Sequence, residues 1–268
     1  MRVALYQMQA AIGAAKDNLA RIERAAFAAS IMGAELLVTP EMSVTGYALG
    51  AETASFAEPA DGSIVERLKG MAASRNIAIV AGFPERVGDA VYNSAALVRP
   101  DGTTEIYRKC HLYGTLEREA FSASDTPSAV FEIGGVKAAM VICYDVEFPE
   151  FVRSAALAGA ELLIVPTALA ASEANRMIPD RIVPTRALEN QMFVIYADLC
   201  GVDGVLEYEG HSVICSPDGA HLARAGRGEA LLAVDLDRNL YAASMAELPY
   251  RAERRPELYG AVVGTLKR

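Results

Sequence analysis

Three side chains of complementary chemistry stand at predicted strand ends of this sequence, two of them where apolar runs give out. Leu36-Leu37-Val38-Thr39-Pro40 leads to Glu41, Thr104-Glu105-Ile106-Tyr107-Arg108 to Lys109, and Val136-Lys137-Ala138-Ala139-Met140-Val141-Ile142 to Cys143. A fourth run, Leu162-Leu163-Ile164-Val165-Pro166, leads to Thr167. The end of a buried strand is the usual place for a reacting group in an open α/β sheet. A thiol nucleophile needs a base and a donor for the developing oxyanion. A carboxylate at such an end is partly desolvated, which raises its pKa toward that of a useful base. An ammonium nearby favours the thiolate and stabilises negative charge on a tetrahedral intermediate. Together the three would do what a Cys–His pair does, and none of His111, His211 and His221 has a comparable setting. Each also has a plain structural reading: a buried thiol, a carboxylate at a helix start, a solvated surface charge. Their chemistry therefore depends on whether the fold brings them together.

The elements that must do so come in two copies. Gly33-Ala34-Glu35-Leu36-Leu37-Val38-Thr39-Pro40-Glu41 matches Gly159-Ala160-Glu161-Leu162-Leu163-Ile164-Val165-Pro166-Thr167, each after an alanine-rich helical stretch (18–32 and 150–158). Asn76-Ile77-Ala78-Ile79-Val80-Ala81-Gly82 matches Gln191-Met192-Phe193-Val194-Ile195-Tyr196-Ala197. Each copy then reaches a hairpin, at Pro100-Asp101-Gly102 and Pro217-Asp218-Gly219. Proline presets φ there and glycine supplies φ > 0. Two β-α-β-α-β-β halves, about 1–130 and 131–235, predict one α/β domain over 1–268: a four-layer αββα sandwich of two pseudo-symmetric halves. The more charged segment 236–268 reads as a tail packed on the body or on a second subunit. A single doubly wound sheet is the alternative that the hairpins disfavour.

The chain has 268 residues, 52% hydrophobic, enough for one large core or two fused ones. Mean hydropathy is +0.20, yet no apolar run approaches the roughly 18 residues a membrane span needs. A net charge of -9 without a basic stripe argues against nucleic acid as a partner. Met1-Arg2-Val3-Ala4-Leu5-Tyr6-Gln7 reads as a strand, too soon polar for the secretion signal that is therefore not expected here, and Cys110, Cys143, Cys200 and Cys215 form no CxxC pair. Reduced thiols in a cytoplasm are therefore expected. The three histidines have no ligand-like spacing, so no metal is expected.

The blocks Pro40-Glu41, Tyr107-Arg108-Lys109-Cys110-His111-Leu112 and Cys143-Tyr144-Asp145-Val146-Glu147-Phe148-Pro149-Glu150 resemble the three signature blocks of the nitrilase superfamily, the carbon–nitrogen hydrolases with a Glu-Lys-Cys triad. The likeness covers nearly the whole chain. It is greatest to the small aliphatic amidases, among them the 5-aminopentanamidases, to which Val91-Tyr92-Asn93-Ser94, Glu189-Asn190-Gln191 and Cys200-Gly201 are also similar. The resemblance implies an αββα sandwich and a homodimer or larger homo-oligomer. It implies Glu41 as general base, Lys109 as oxyanion stabiliser, Cys143 as nucleophile and the Tyr144 N–H as a second oxyanion donor. A second glutamate is implied after the lysine block, at Glu117, with Glu119 its near competitor. The activity implied is hydrolysis of a small aliphatic primary amide through a thioester, with no cofactor. N-carbamoyl amide or nitrile hydrolysis is the nearest alternative, and a non-catalytic binding protein on the same scaffold the more distant one. Thr167 is expected to shape the pocket. Asp145, Glu147 and Glu173 are the acidic candidates for the substrate's tail. Departures from the family pattern stand at Cys110, Ser122-Ala123-Ser124-Asp125, Leu169 and Asp198.

Overall fold

In the computed structural model, which describes residues 1–263, the apolar runs are strands with two buried faces. In β1 (Arg2–Gln7), Val3 and Leu5 face a second sheet while Ala4 faces helices. In β2 (Leu36–Val38), Leu36 and Val38 oppose Leu37; in β3 (Ala78–Val87), Ala78 and Val80 oppose Ile79 and Ala81. Strands covered on both faces are apolar throughout, which is why these runs lack polar alternation.

The helical layer over this sheet is α1 (Ala15–Ile31) and α3 (Ser63–Arg75), with a single turn, α2 (Thr53–Phe56), before α3. In α1, Leu19, Ile22, Ala25, Ala26 and Ala29 form the buried stripe expected of an amphipathic helix. Full burial of Ile22 alone stabilises by about 1.5–3 kcal/mol. The sheet continues through β4 (Ala90–Val98) and β5 (Thr104–Arg108), followed by α4 (Gly114–Ala120).

The second half repeats the plan with β6 (Phe131–Ile133), β7 (Val136–Met140), α5 (Pro149–Leu157), β8 (Leu162–Thr167), α6 (Val183–Asn190) and β9 (Phe193–Asp198). A short side hairpin, β10 (Cys200–Val202) with β11 (Glu207–Glu209), precedes β12 (Val213–Cys215) and β13 (His221–Arg224). The sheet orders are β14-β1-β2-β3-β4-β5 and β13-β12-β9-β8-β7-β6, where β14 is Ala230–Asp235. The central three strands of each sheet are parallel and the outer ones antiparallel. This is the expected sandwich of two sheets between helical layers. The paired repeats agree even at their helix ends: α3 and α6 stop at Asn76 (φ +50°) and Gln191 (φ +53°), both left-handed, and each chain then turns into a central strand.

One boundary needs correction. Drawing the second half as 131–235 gives it β14, but β14 runs antiparallel to β1 and closes the first sheet. Without it the backbone groups along the free edge of β1 would lack partners. The tail from 236 packs on the second half of its own chain. It forms α7 (Arg238–Glu247) and a final turn, α8 (Gly260–Val263). The Gln191 side-chain amide donates to the carbonyls of Ser244 and Leu248, and Arg251 to that of Ala156. The last part of the predicted tail, 264–268, lies outside the described residues. No helix among the described residues is long and apolar enough to cross a membrane.

Candidate active site

Glu41 follows β2 across Thr39 and Pro40, and the chain turns sharply behind it, with Met42 at φ +50°. Gly82 of β3 crosses this turn so closely that a Cβ there would lie 2.3 Å from the Met42 nitrogen and 2.8 Å from Glu41 Cα. Glycine is required at that crossing because any side chain would push the turn away. The Gly82 N–H reaches the Pro40 carbonyl (3.3 Å) and Ser43 Oγ (3.3 Å). Glu41 is wholly buried.

Lys109 extends β5 by one ladder bond, its N–H donating to the Asn93 carbonyl at 2.9 Å. The Asn93 side chain donates to Glu41 Oε1 at 2.6 Å, so one β4 residue fixes both partners. Lys109 Nζ lies 2.8 Å from Glu41 Oε1 and 2.6 Å from Glu117 Oε1, with all three side chains fully buried. Glu117 also accepts from the Tyr47 hydroxyl (2.7 Å) and the Tyr113 N–H (2.8 Å). Glu119, on the same helix, is exposed, so Glu117 is the glutamate that meets the lysine.

β7 ends at Met140, and two residues later the chain turns into a short 3₁₀ helix, Cys143–Glu147. Cys143 itself is left-handed at φ +47°, a strained conformation for a side chain other than glycine. Tyr144 follows in the first turn, where helix N–H groups have no intrahelical partner.

The charges explain each other. Burial raises the Glu41 carboxyl to about 7; the Lys109 ammonium pulls it down and Glu117 pushes it up. Burial opposes the Lys109 charge, but Glu41, Cys143 and Glu117 outweigh it and hold the lysine above its ordinary value. Burial also carries the Cys143 thiol well above its ordinary value, Glu41 adds to the rise, and Lys109 and the Ala168 N–H oppose it. The resting group is therefore a thiol beside a carboxyl able to take its proton near neutrality.

Cys143 opens onto a cavity of about 440 Å³ lined by Tyr47, Tyr113, Gly114, Thr115, Leu116, Tyr144, Glu147, Ala168, Leu169, Ala170, Asn175 and Leu206. Tyr144 and Glu147 both lie on this wall. Thr167 does not: its hydroxyl donates to the Val165 carbonyl, and the wall begins one residue later at Ala168. As the last residue of β8 it still lies in the sheet, with its side chain buried. Of the other acidic candidates, Glu173 is exposed and Asp145 is buried behind the wall. Glu147 is the acidic side chain on that wall, and burial raises its carboxyl above the ordinary value.

The departures also find places. Leu169 is on the wall, held from behind by Asp198 Oδ1, which accepts its N–H at 2.8 Å. The Ser122–Asp125 loop is tied to Lys109 by the Ser124 N–H (3.0 Å). The Cys110 thiol is off the wall, 3.5 Å from the Thr126 carbonyl. His111 is half-buried against Asp145. Among the described residues no three metal-ligating side chains gather. Asn93 and Tyr47 are the members of the site whose contacts the sequence reading missed. Asn93 stands out only as a polar residue within a strand run and within the amidase-like Val91-Tyr92-Asn93-Ser94, neither of which names its partners, and Tyr47 has no local signal.

Residues 2–245 match the family model described as "Carbon-nitrogen hydrolase". The chain is 42% identical over 267 residues to "Hydrolase in pqqF 5'region" of Pseudomonas protegens, covering 97% of this chain and 90% of that protein. It is 34% identical to an "(R)-stereoselective amidase" of a Pseudomonas species, covering 97% and 93%. Among solved structures it is similar to an amidase from Nesterenkonia sp. AN1, with a TM-score of 0.88 and 37% identity over 98% of this chain and 100% of that one. That structure carries acrylamide added at the active-site cysteine, and a cysteine-to-alanine variant of the same amidase is seen in complex with butyramide.

Proposed function

The chain belongs to the carbon–nitrogen hydrolase family and is a hydrolase of non-peptide carbon–nitrogen bonds; we propose that it cleaves a small aliphatic primary amide to carboxylate and ammonia through a thioester on Cys143. The observation that carries this reading is the wholly buried Lys109 ammonium, bracketed by Glu41 and Glu117 and near enough to Cys143 for the two to act on each other's charge. Glu41 takes the thiol proton as sulfur attacks the amide carbonyl carbon. The tetrahedral oxyanion is held by the Lys109 ammonium and the Tyr144 N–H. Its collapse breaks the carbon–nitrogen bond, with Glu41 returning the proton to the nitrogen, so ammonia leaves and a thioester remains. Glu41 then takes a proton from water as its oxygen attacks the thioester; the carboxylic acid departs and the proton returns to sulfur. Glu117 keeps the ammonium aimed between the base and the oxyanion.

The cavity has the volume of a small-ligand site. Its wall carries Glu147 and no lysine or arginine among the described residues, and its tyrosines offer π faces. Carboxylate and π faces favour an amide with a cationic tail, an ω-amino amide of the 5-aminopentanamide kind. We include a homodimer in this reading, on the family resemblance.

A panel of ω-amino amides, neutral amides, N-carbamoyl amines and nitriles, scored by ammonia release, tests it. The ω-amino amides should have the highest kcat/KM, and Cys143→Ala should abolish their turnover while leaving the fold intact. Glu147→Gln should lower kcat/KM for them by about tenfold or more, the equivalent of one hydrogen bond to a charged group, and leave neutral amides unchanged. Faster turnover of a carbamoyl amine or a nitrile, or amide turnover by Cys143→Ala, would overturn the proposal.

A further inference from the structure

Asp145 lies two residues beyond Cys143, wholly buried and off the cavity wall. Each of its oxygens meets two partners. Oδ1 accepts the His111 backbone N–H at 2.8 Å and lies 2.7 Å from His111 Nδ1. Oδ2 accepts the Tyr107 hydroxyl at 2.7 Å and the Ile142 N–H at 3.0 Å. Tyr107 and His111 stand two residues before and two after Lys109, and Ile142 immediately precedes Cys143. A single carboxylate therefore ties the lysine's strand end to the cysteine's turn. The other backbone ties of Lys109, to Asn93 and Ser124, stay within the first half. The His111 ring is fixed in turn, stacked on Phe148 at 4.0 Å and meeting Phe151 edge-on at 4.9 Å.

Such a tie matters because the apolar burial between the two sheets has no direction, and the polar bonds from the end of β1 to the second half, Cys200 N–H to the Met8 carbonyl (3.1 Å) and Ser212 N–H to Gln7 Oε1 (2.8 Å), do not touch the strand end that carries Lys109. A slide of one sheet over the other by an ångström would cost little buried area, yet a misplacement of that size can cost about 10²-fold in rate. Hydrogen bonds to a buried charge are short and directional and oppose the slide. The left-handed Cys143 also needs surroundings that hold it there.

We infer that Asp145 is a positioning residue that sets the separation between the Lys109 ammonium and the Cys143 sulfur. The inference rests on the roles proposed above for those two groups.

Asp145→Asn keeps the size but turns one acceptor oxygen into a donor that faces donors. Two readouts apply: kcat and KM on the best amide of the panel, and the pH midpoint of Cys143 alkylation by iodoacetamide, which needs no substrate. We expect kcat to fall about 10²-fold with KM changed less than about threefold, and the alkylation midpoint to rise as the ammonium leaves the thiolate. Tyr107→Phe removes one of the four contacts and should shift both readouts the same way, with kcat down about three- to tenfold. A folded Asp145→Asn protein with wild-type kcat and midpoint overturns the inference, even if its melting temperature falls. If Asp145→Asn does not fold, Tyr107→Phe decides by the same criterion. If the wild type hydrolyses nothing in the panel, the functional proposal fails and the alkylation midpoint alone decides the role of Asp145.

Discussion

Near pH 7 the Glu41 carboxyl is shared between its two protonation states, because burial raises it against the pull of Lys109. A base acts only when deprotonated, so acid removes the active form. We expect kcat/KM to fall tenfold per pH unit below about 7 and to level off above it. Lys109 is held above its ordinary value, so no falling limb should follow until well into alkali. An initial-rate pH profile checks this, and a flat profile between pH 5 and 7 would remove Glu41 as the base. Cys143 and Glu41 were legible in the sequence because each stands where an apolar run stops, and Lys109 because the strand after the Pro100-Asp101-Gly102 hairpin ends on it. Asn93 and Tyr47 were not. Their partners lie 52 and 70 residues away in the chain, and nothing in the neighbouring residues encodes that distance.

The strands and turns aim these groups through backbone conformation more than through side chains. Glu41 precedes a left-handed Met42, and Cys143 is left-handed itself. Gly82 leaves the first turn its room. Gly82→Ala should therefore destabilise the fold by about 1–3 kcal/mol, the usual cost of overpacking. Its kcat should fall further than that loss of stability alone would cause, because the added methyl meets the backbone of Glu41 itself. Urea titration and steady-state kinetics on one preparation separate the two effects, and wild-type kcat in a folded Gly82→Ala protein would contradict this account of the turn. The element order and both Pro-Asp-Gly hairpins were readable from the repeat, since local turn chemistry and apolar runs carry them. The same repeat misled at Thr167. It matches Thr167 with Glu41, but the first half continues past its strand to reach the site, whereas the second places Ala168 there. The edge strand β14 was placed in the wrong half for a similar reason. An apolar run announces a strand but not which sheet will pair with it.

Seen as one body, the molecule is two sheets that exchange responsibility at their edges. β6 lies beside β7 in the second sheet, and β14, reached only after the second half is complete, takes the matching place beside β1. The six-residue register from Arg2↔Asp235 to Gln7↔Ala230 does the joining. The Arg2–Asp235 ion pair at its end is exposed, so solvent screens it and it adds little. A chain truncated after Gly228 should therefore expose the edge of β1 and associate through it, leaving no monodisperse species in size-exclusion chromatography. A well-behaved truncated protein would show that the edge is protected in another way. The triad proposed above draws Glu41 and Lys109 from one half and Cys143 from the other, so that site cannot exist before the halves meet. The closing strand delays that moment further. During synthesis on the ribosome the first half emerges early with its base and its ammonium in place in the sequence, but its sheet stays open until a partner 233 residues downstream of Arg2 has been made. Closing the first sheet is thus tied to slow, long-range pairing, and a nascent chain that has not yet made β14 holds an unfinished sheet.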